Sequence, residues 1–171
     1  MRTSPIHRLC VQPSKTIDAT ASLKISIDRR KTAVVFTDGS VKYQCQPNVS
    51  AGYGVFWGDD HPNNRSGPVH GQKDSNRAEL FAVHEAIKTA ADQGYSGINV
   101  NSDSKYVLDS VANPKQTHNR DLVQSIHAIM SIIKVTVQKV STGSGLNKQA
   151  DRIAKAGAEM STCDSKPATT N

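Results

Sequence analysis

From Thr32 onward the apolar positions of the chain switch repeatedly between a two-residue and a helical spacing. Ala33 to Phe36 is a β-branched apolar run that predicts a buried strand, and it ends in Thr37, Asp38, Gly39 and Ser40. Val41 to Ser50 is polar, carries Pro47 and Asn48, and predicts a hairpin loop. Ala51 to Trp57 (AGYGVFW) alternates small and large residues as a second strand. Arg65 to Gly71 predicts a third strand at a sheet edge, where Pro68 need not donate to a ladder. Ser75 to Asp92 places Leu80, Val83, Ile87 and Ala91 at helical spacing, with Gly94 as the stop. Ile98 to Asn101 then reads as a strand, and Asp103 to Val111 as a short helix stopped before Pro114. Leu122, Ile126, Ile129 and Ile133 form an amphipathic stripe on a further helix. Val135 to Val140 alternates as a strand, Ser141 to Gly145 is a glycine-serine loop, and Leu146 to Ala158 predicts a last helix lined by Ala150, Ile153, Ala154 and Gly157. Three strands able to form hairpins, followed by alternating helix and strand, predict an α/β fold: a mixed sheet flanked by helices.

Composition narrows the class. A chain of 171 residues suits one domain with tails. No apolar run approaches the roughly eighteen residues of a membrane span, so no membrane partner is expected. The net charge of +6 is uneven: residues 1 to 30 hold six basic and two acidic residues, the remainder fifteen and thirteen. A basic, disordered extension over 1–30, a folded domain over 31–160 and a disordered tail over 161–171 follow from this distribution. The extension lacks the apolar core of a secretory signal, and its Arg, Ser and Thr content would also suit a mitochondrial address. Cys10, Cys45 and Cys163 make no disulfide or metal pattern, which suits a reducing interior, cytoplasm or nucleus. The six histidines show no ligand spacing, and no glycine-rich phosphate loop precedes a helix.

Four acids fall at the ends or starts of the predicted elements: Asp38, Glu79, Asp103 and Asp151. Each has an ordinary explanation. Asp38-Gly39 could turn the chain. Asn76 and Glu79 have the spacing of a capping box, Asp103 would cap the helix after it, and Asp151 could pair with Lys155 at i+4. Gathered at one sheet edge, however, four carboxylates would repel each other unless a multivalent cation neutralised them. An all-oxygen set without His or Cys selects magnesium, with manganese as a substitute, over zinc. Two such ions about 4 Å apart can activate a water and stabilise the leaving oxygen of a phosphodiester.

The segments TDGS (37–40), NRAEL (76–80), SDSKYV (102–107) and NKQADRIAKAGA (147–158) together resemble ribonuclease H, type 1. They occur in that family's order, with 41, 24 and 48 residues between successive acids, and the resemblance covers roughly residues 31 to 160. It implies an RNase H-like, five-stranded mixed sheet and a monomeric, magnesium-dependent endonuclease that hydrolyses the RNA strand of RNA–DNA hybrids. Residue by residue, Asp38, Glu79, Asp103 and Asp151 match the family's metal-binding, catalytic acids. The resemblance assigns nucleic-acid contacts to Gly39, Ser40, Ser75, Asn76 and Asn119. Its Glu also meets a ribose 2′-hydroxyl, the group that separates RNA from DNA.

Three departures accompany the match. The family's loop histidine before the last helix falls at Ser141, which has no group titrating near neutral pH, so slowed turnover is expected. A Thr and an Asn that grip nucleic acid in the family have become Asp74 and Ser75. The tryptophan-rich basic protrusion is missing, leaving Ala112 to His118 with Lys115 as its sole formal positive charge. These departures keep a second reading open: a hybrid-binding module with weak or no catalysis.

Overall fold

β1 (Thr32–Tyr43) is longer than its apolar run predicts, and the reason lies in its partners. On one side β2 (Val49–Phe56) pairs with it antiparallel, in register from Phe36↔Phe56 through Asp38↔Gly54 to Tyr43↔Val49. On the other side β4 (Gly97–Ser102) runs parallel to β1 only from Thr32↔Gly97 to Phe36↔Asn101. Asp38-Gly39 is therefore no turn. It lies inside a strand, just past the point where β4 parts from it. The buried Asn101 side chain donates to the Val35 carbonyl at 3.0 Å and pins that fork. β3 (Arg65–Pro68) closes one edge against β2, and β5 (Lys134–Lys139) the other, parallel to β4. The five-stranded mixed sheet has the order β3-β2-β1-β4-β5.

The structure, a computed structural model, describes residues 31–43 and 49–163. The expected extension over 1–30, the middle of the predicted hairpin loop and residues 164–171 lie outside the described residues. α1 (Ser75–Asp92) has the predicted bounds, but its cap differs: the Asp74 carboxylate accepts the Arg77 N–H at 2.9 Å, so no Asn76–Glu79 capping box forms. α2 (Lys105–Ala112) is capped by Ser104, not Asp103. In both cases a neighbouring residue caps the helix and the acid is left for other work. A single 3-10 turn (Pro114–Gln116) leads to α3 (Arg120–Met130). Ile133 lies beyond that helix yet is 8% exposed, so the stripe continues into the core through the connecting turn. α4 (Asn147–Cys163) runs five residues past its predicted end, which makes the first three residues of the expected 161–171 tail helical.

α1 and α4 cover opposite faces of the sheet. α1 buries Leu80, Val83, Ala86 and Ile87, all 0% exposed, over β1, β2 and β4. α4 instead beds on glycines: a Cβ at Gly52 would stand 2.0 Å from Ala158 N, and one at Gly54 2.4 Å from the Ala150 carbonyl oxygen. Gly157 answers from the helix, where a Cβ would meet the Gly67 carbonyl at 2.6 Å. Backbone rests on backbone, which only glycine permits. Among the described residues no helix is long and apolar enough to cross a membrane.

Candidate active site

The fork between β1 and β4 sets the first two acids side by side: Asp38 just beyond it on β1, Asp103 just after Ser102 ends β4. Glu79 joins them from the first turns of α1. It can do so because residue 39 is glycine; a Cβ there would lie 2.4 Å from the Glu79 amide nitrogen. Carboxylate oxygens of Asp38, Glu79 and Asp103 all lie within 4.8 Å of one another. Asp151, carried on α4 directly after Ala150, lines the same cavity of about 460 Å³ but stands outside that tight trio. There it accepts a hydrogen bond from Lys155 Nζ at 2.7 Å, the i+4 pairing its sequence position allowed.

The electrostatics of the trio are strained without a cation. Burial, then the charge of Asp103 and of Asp151, pushes the Asp38 carboxyl up to about 6. Burial, then the charge of Asp38 and of Asp103, pushes Glu79 up to about 9. Glu79 thus retains its proton near neutral pH and hydrogen-bonds Asp38, while the Gly39 N–H helps its ionised form. Among the described residues its buried Oε2 has no hydrogen-bond partner. The Oδ1 of Asn147, a residue 2% exposed at the start of α4, lines the same cavity and is likewise unpartnered. Three carboxylates and an amide, with two buried oxygen atoms unspent, make a donor set that fits a hard divalent cation.

The remaining predicted residues fall around this centre rather than in it. Gly39 serves the close approach of α1; Ser40 follows it on β1, opposite Gly52. Ser75 and Asn76 are exposed on the first turn of α1 and do not line the cavity. Asn119 is 6% exposed: its Oδ1 accepts from Arg77 Nη1 at 3.2 Å, and its Nδ2 donates to the Tyr106 hydroxyl at 3.1 Å. Arg77 also holds Asp121 through two hydrogen bonds, at 3.1 and 2.7 Å, and its Nε donates to the His70 carbonyl. This network joins the start of α1 to the start of α3, and nothing in the spacing of those residues announces it. His84 and His127 are spent on Ser125 and the Val111 carbonyl. Ser141 is exposed in a shallow cavity beside Asp103.

Sequence reasoning passed over Thr142, Gly143, Asn147 and Lys148, all of which line the carboxylate cavity. The signal for Asn147 was available, since it opens the segment NKQAD that carries Asp151.

The sequence matches the family model of RNase H over residues 30–159. It is 34% identical to the ribonuclease H of Schizosaccharomyces pombe over 143 residues, 73% of this chain and 52% of that protein. It is 27% identical to human ribonuclease H1 over 144 residues, 75% of this chain and 50% of that one. The chain thus spans about half the length of these relatives. Its fold superposes on RNase H1 from the archaeon Halobacterium salinarum with a TM-score of 0.58 at 21% identity, covering 75% of this chain and 98% of that one. A TM-score of 0.59 at 18% identity relates it to LC11-RNase H1, isolated from compost, in a complex with an RNA/DNA hybrid, over 75% and 98% of the two chains.

Proposed function

The chain belongs to the RNase H family, and from that premise we propose that it is an endoribonuclease hydrolysing the RNA strand of RNA–DNA hybrids. The observation that carries the reading is the convergence of Asp38, Glu79 and Asp103 within 4.8 Å from three separate segments. Nothing in folding favours such crowding, because each acid is destabilised by the others. The hybrid bound to LC11-RNase H1 supports the choice of substrate.

Asp38, Glu79 and Asp103 would hold the ions, magnesium with manganese as a substitute, and Asp151 would complete the set from the rim. The chemistry such ions supply is an activated water and a neutralised leaving oxygen, giving a 3′-hydroxyl and a 5′-phosphate. A cation held there would require Glu79 to be ionised, so metal affinity should rise with pH. Lys155 holds the Asp151 carboxylate toward the cavity. Arg77 and Tyr106 fix Asn119, leaving it one amide hydrogen to offer a phosphate. The protein acts as a monomer inside the cell, in cytoplasm or nucleus, and residues 1–30 would also suit import into mitochondria.

A hybrid-binding module with weak catalysis is the second reading. Asp74 favours it, since an acid stands where the family grips nucleic acid with a neutral Thr. Incubating the protein with end-labelled hybrid, with and without magnesium, beside Asp38→Asn separates the two. Cleavage that needs both the metal and Asp38 is the expected result; tight binding with no cut strand would establish the module instead.

A further inference from the structure

The cavity that gathers the acids also has a cationic side, and its two lysines are in different states. Lys155 is committed to Asp151 at 2.7 Å. The ammonium of Lys148, on the first turn of α4, makes no hydrogen bond or ion pair among the described residues, although the residue lines the same cavity. Its stem lies across the loop before α4, with Cε 3.7 Å from where a Cβ would stand on Gly143. Gly143 has φ +81, a conformation in which a side chain would be strained, so the loop stays bare beneath that stem. The base of Lys148 is fixed as well: its backbone N–H donates to the Ser144 carbonyl at 3.0 Å. An ammonium so placed, beside a cavity whose own anions would be neutralised by ions, is left to meet an anion from outside the protein. A phosphodiester lying over the acids brings such a charge.

We propose that Lys148 binds a backbone phosphate of the nucleic acid lying over the carboxylate cavity and thereby positions the strand for cleavage. This rests on the nuclease reading above. As a point charge on a flexible stem, Lys148 gives affinity rather than sequence preference. Its contribution fades with salt, because each phosphate neutralised releases condensed counterions. In this chain, which lacks the basic protrusion, one such contact weighs more than it would in a protein with many.

The test uses the full 171-residue chain and a fluorescent RNA–DNA hybrid, with binding followed by anisotropy in calcium and cleavage in magnesium. For Lys148→Ala, Kd and KM are expected to rise about three- to tenfold near 0.1 M salt. The slope of log Kd against log salt should shrink by about one, with kcat within about twofold. Lys148→Arg should restore most of the affinity and the full salt slope. An unchanged Kd and slope in Lys148→Ala would overturn the proposal. So would a loss confined to kcat, which would place the lysine's effect on the acids rather than on the strand. If the unaltered protein neither binds nor cuts the hybrid, the nuclease reading fails, and this inference falls with it.

Discussion

Asp38 and Glu79 bind protons at a higher pH in the folded chain than in the unfolded one, and this fixes the sign of their contribution to stability. Between the ordinary carboxylate range near 4 and the region of 6 to 9 to which the two are raised, the folded state holds more protons. By linkage, stability in a chelator must fall as pH rises through that window. Tm in a chelator is therefore expected to fall by at least several degrees between pH 5 and pH 9. Magnesium should recover most of it, and Asp38→Asn should raise Tm in EDTA at pH 8 while abolishing the response to magnesium. Thermal melts across pH in both buffers check this; a stability that climbs with pH in EDTA would contradict it. Ser141 allows a second measurement at the same scale. It lies beside Asp103, where a histidine could exchange protons near the acids. Ser141→His is expected to raise kcat by on the order of tenfold, a modest share of what a general acid or base supplies. Single-turnover and steady-state rates on one hybrid would show whether the gain lies in the chemical step or in release.

At the scale of elements, α4 is held against β2 by backbone contact, so Gly54 decides where Asp151 stands. Gly54→Val places carbons where the Ala150 carbonyl already lies 2.4 Å from a Cβ position. The helix must lift, costing stability by about 2–4 kcal/mol and activity by more than tenfold. Denaturant midpoints and cleavage rates should fall together, and a variant of full activity would show that α4 does not set the position of that acid. Elements were legible where the cause is local. α1 could be bounded to the residue because its 3.6 periodicity runs from Leu80 to Ala91 and Gly94 (φ +75) ends it. The second half of β1 could not, because Thr37 to Tyr43 is strand only through pairing with β2. Likewise the caps fell to Asp74, two residues before the expected Asn76, and to Ser104, one residue after the expected Asp103. The four acids could be picked out by motif, but their unequal standing could not. Whether Asp151 stands within the trio or on its rim depends on how far α4 is held from the fork.

For the whole molecule, charge is distributed away from the fold. Of the net +6, +4 belongs to residues 1–30, and the rest of the chain carries fifteen basic residues against thirteen acidic ones. With Asp74 spent on a helix cap and no basic protrusion before α3, long-range attraction for a polyanion should depend heavily on that leading segment. Removing residues 1–30 is expected to weaken hybrid binding by roughly tenfold at low salt and to flatten its salt dependence, with kcat nearly unaffected. Anisotropy titrations at several salt concentrations check this; a truncated protein that binds as tightly as the full chain would assign the grip to the folded part alone.

The glycine bed under α4 also bears on how this protein can vary. At Gly52, Gly54 and Gly157 the smallest heritable change adds a carbon atom where another chain already passes, so these sites offer no gentle intermediates. Drift is channelled elsewhere, into the exposed residues 141 and 142 of the loop before that helix. A lineage built on such a frame can lose its histidine and reshape its hold on substrate, yet still hand down the seat of its fourth acid unaltered.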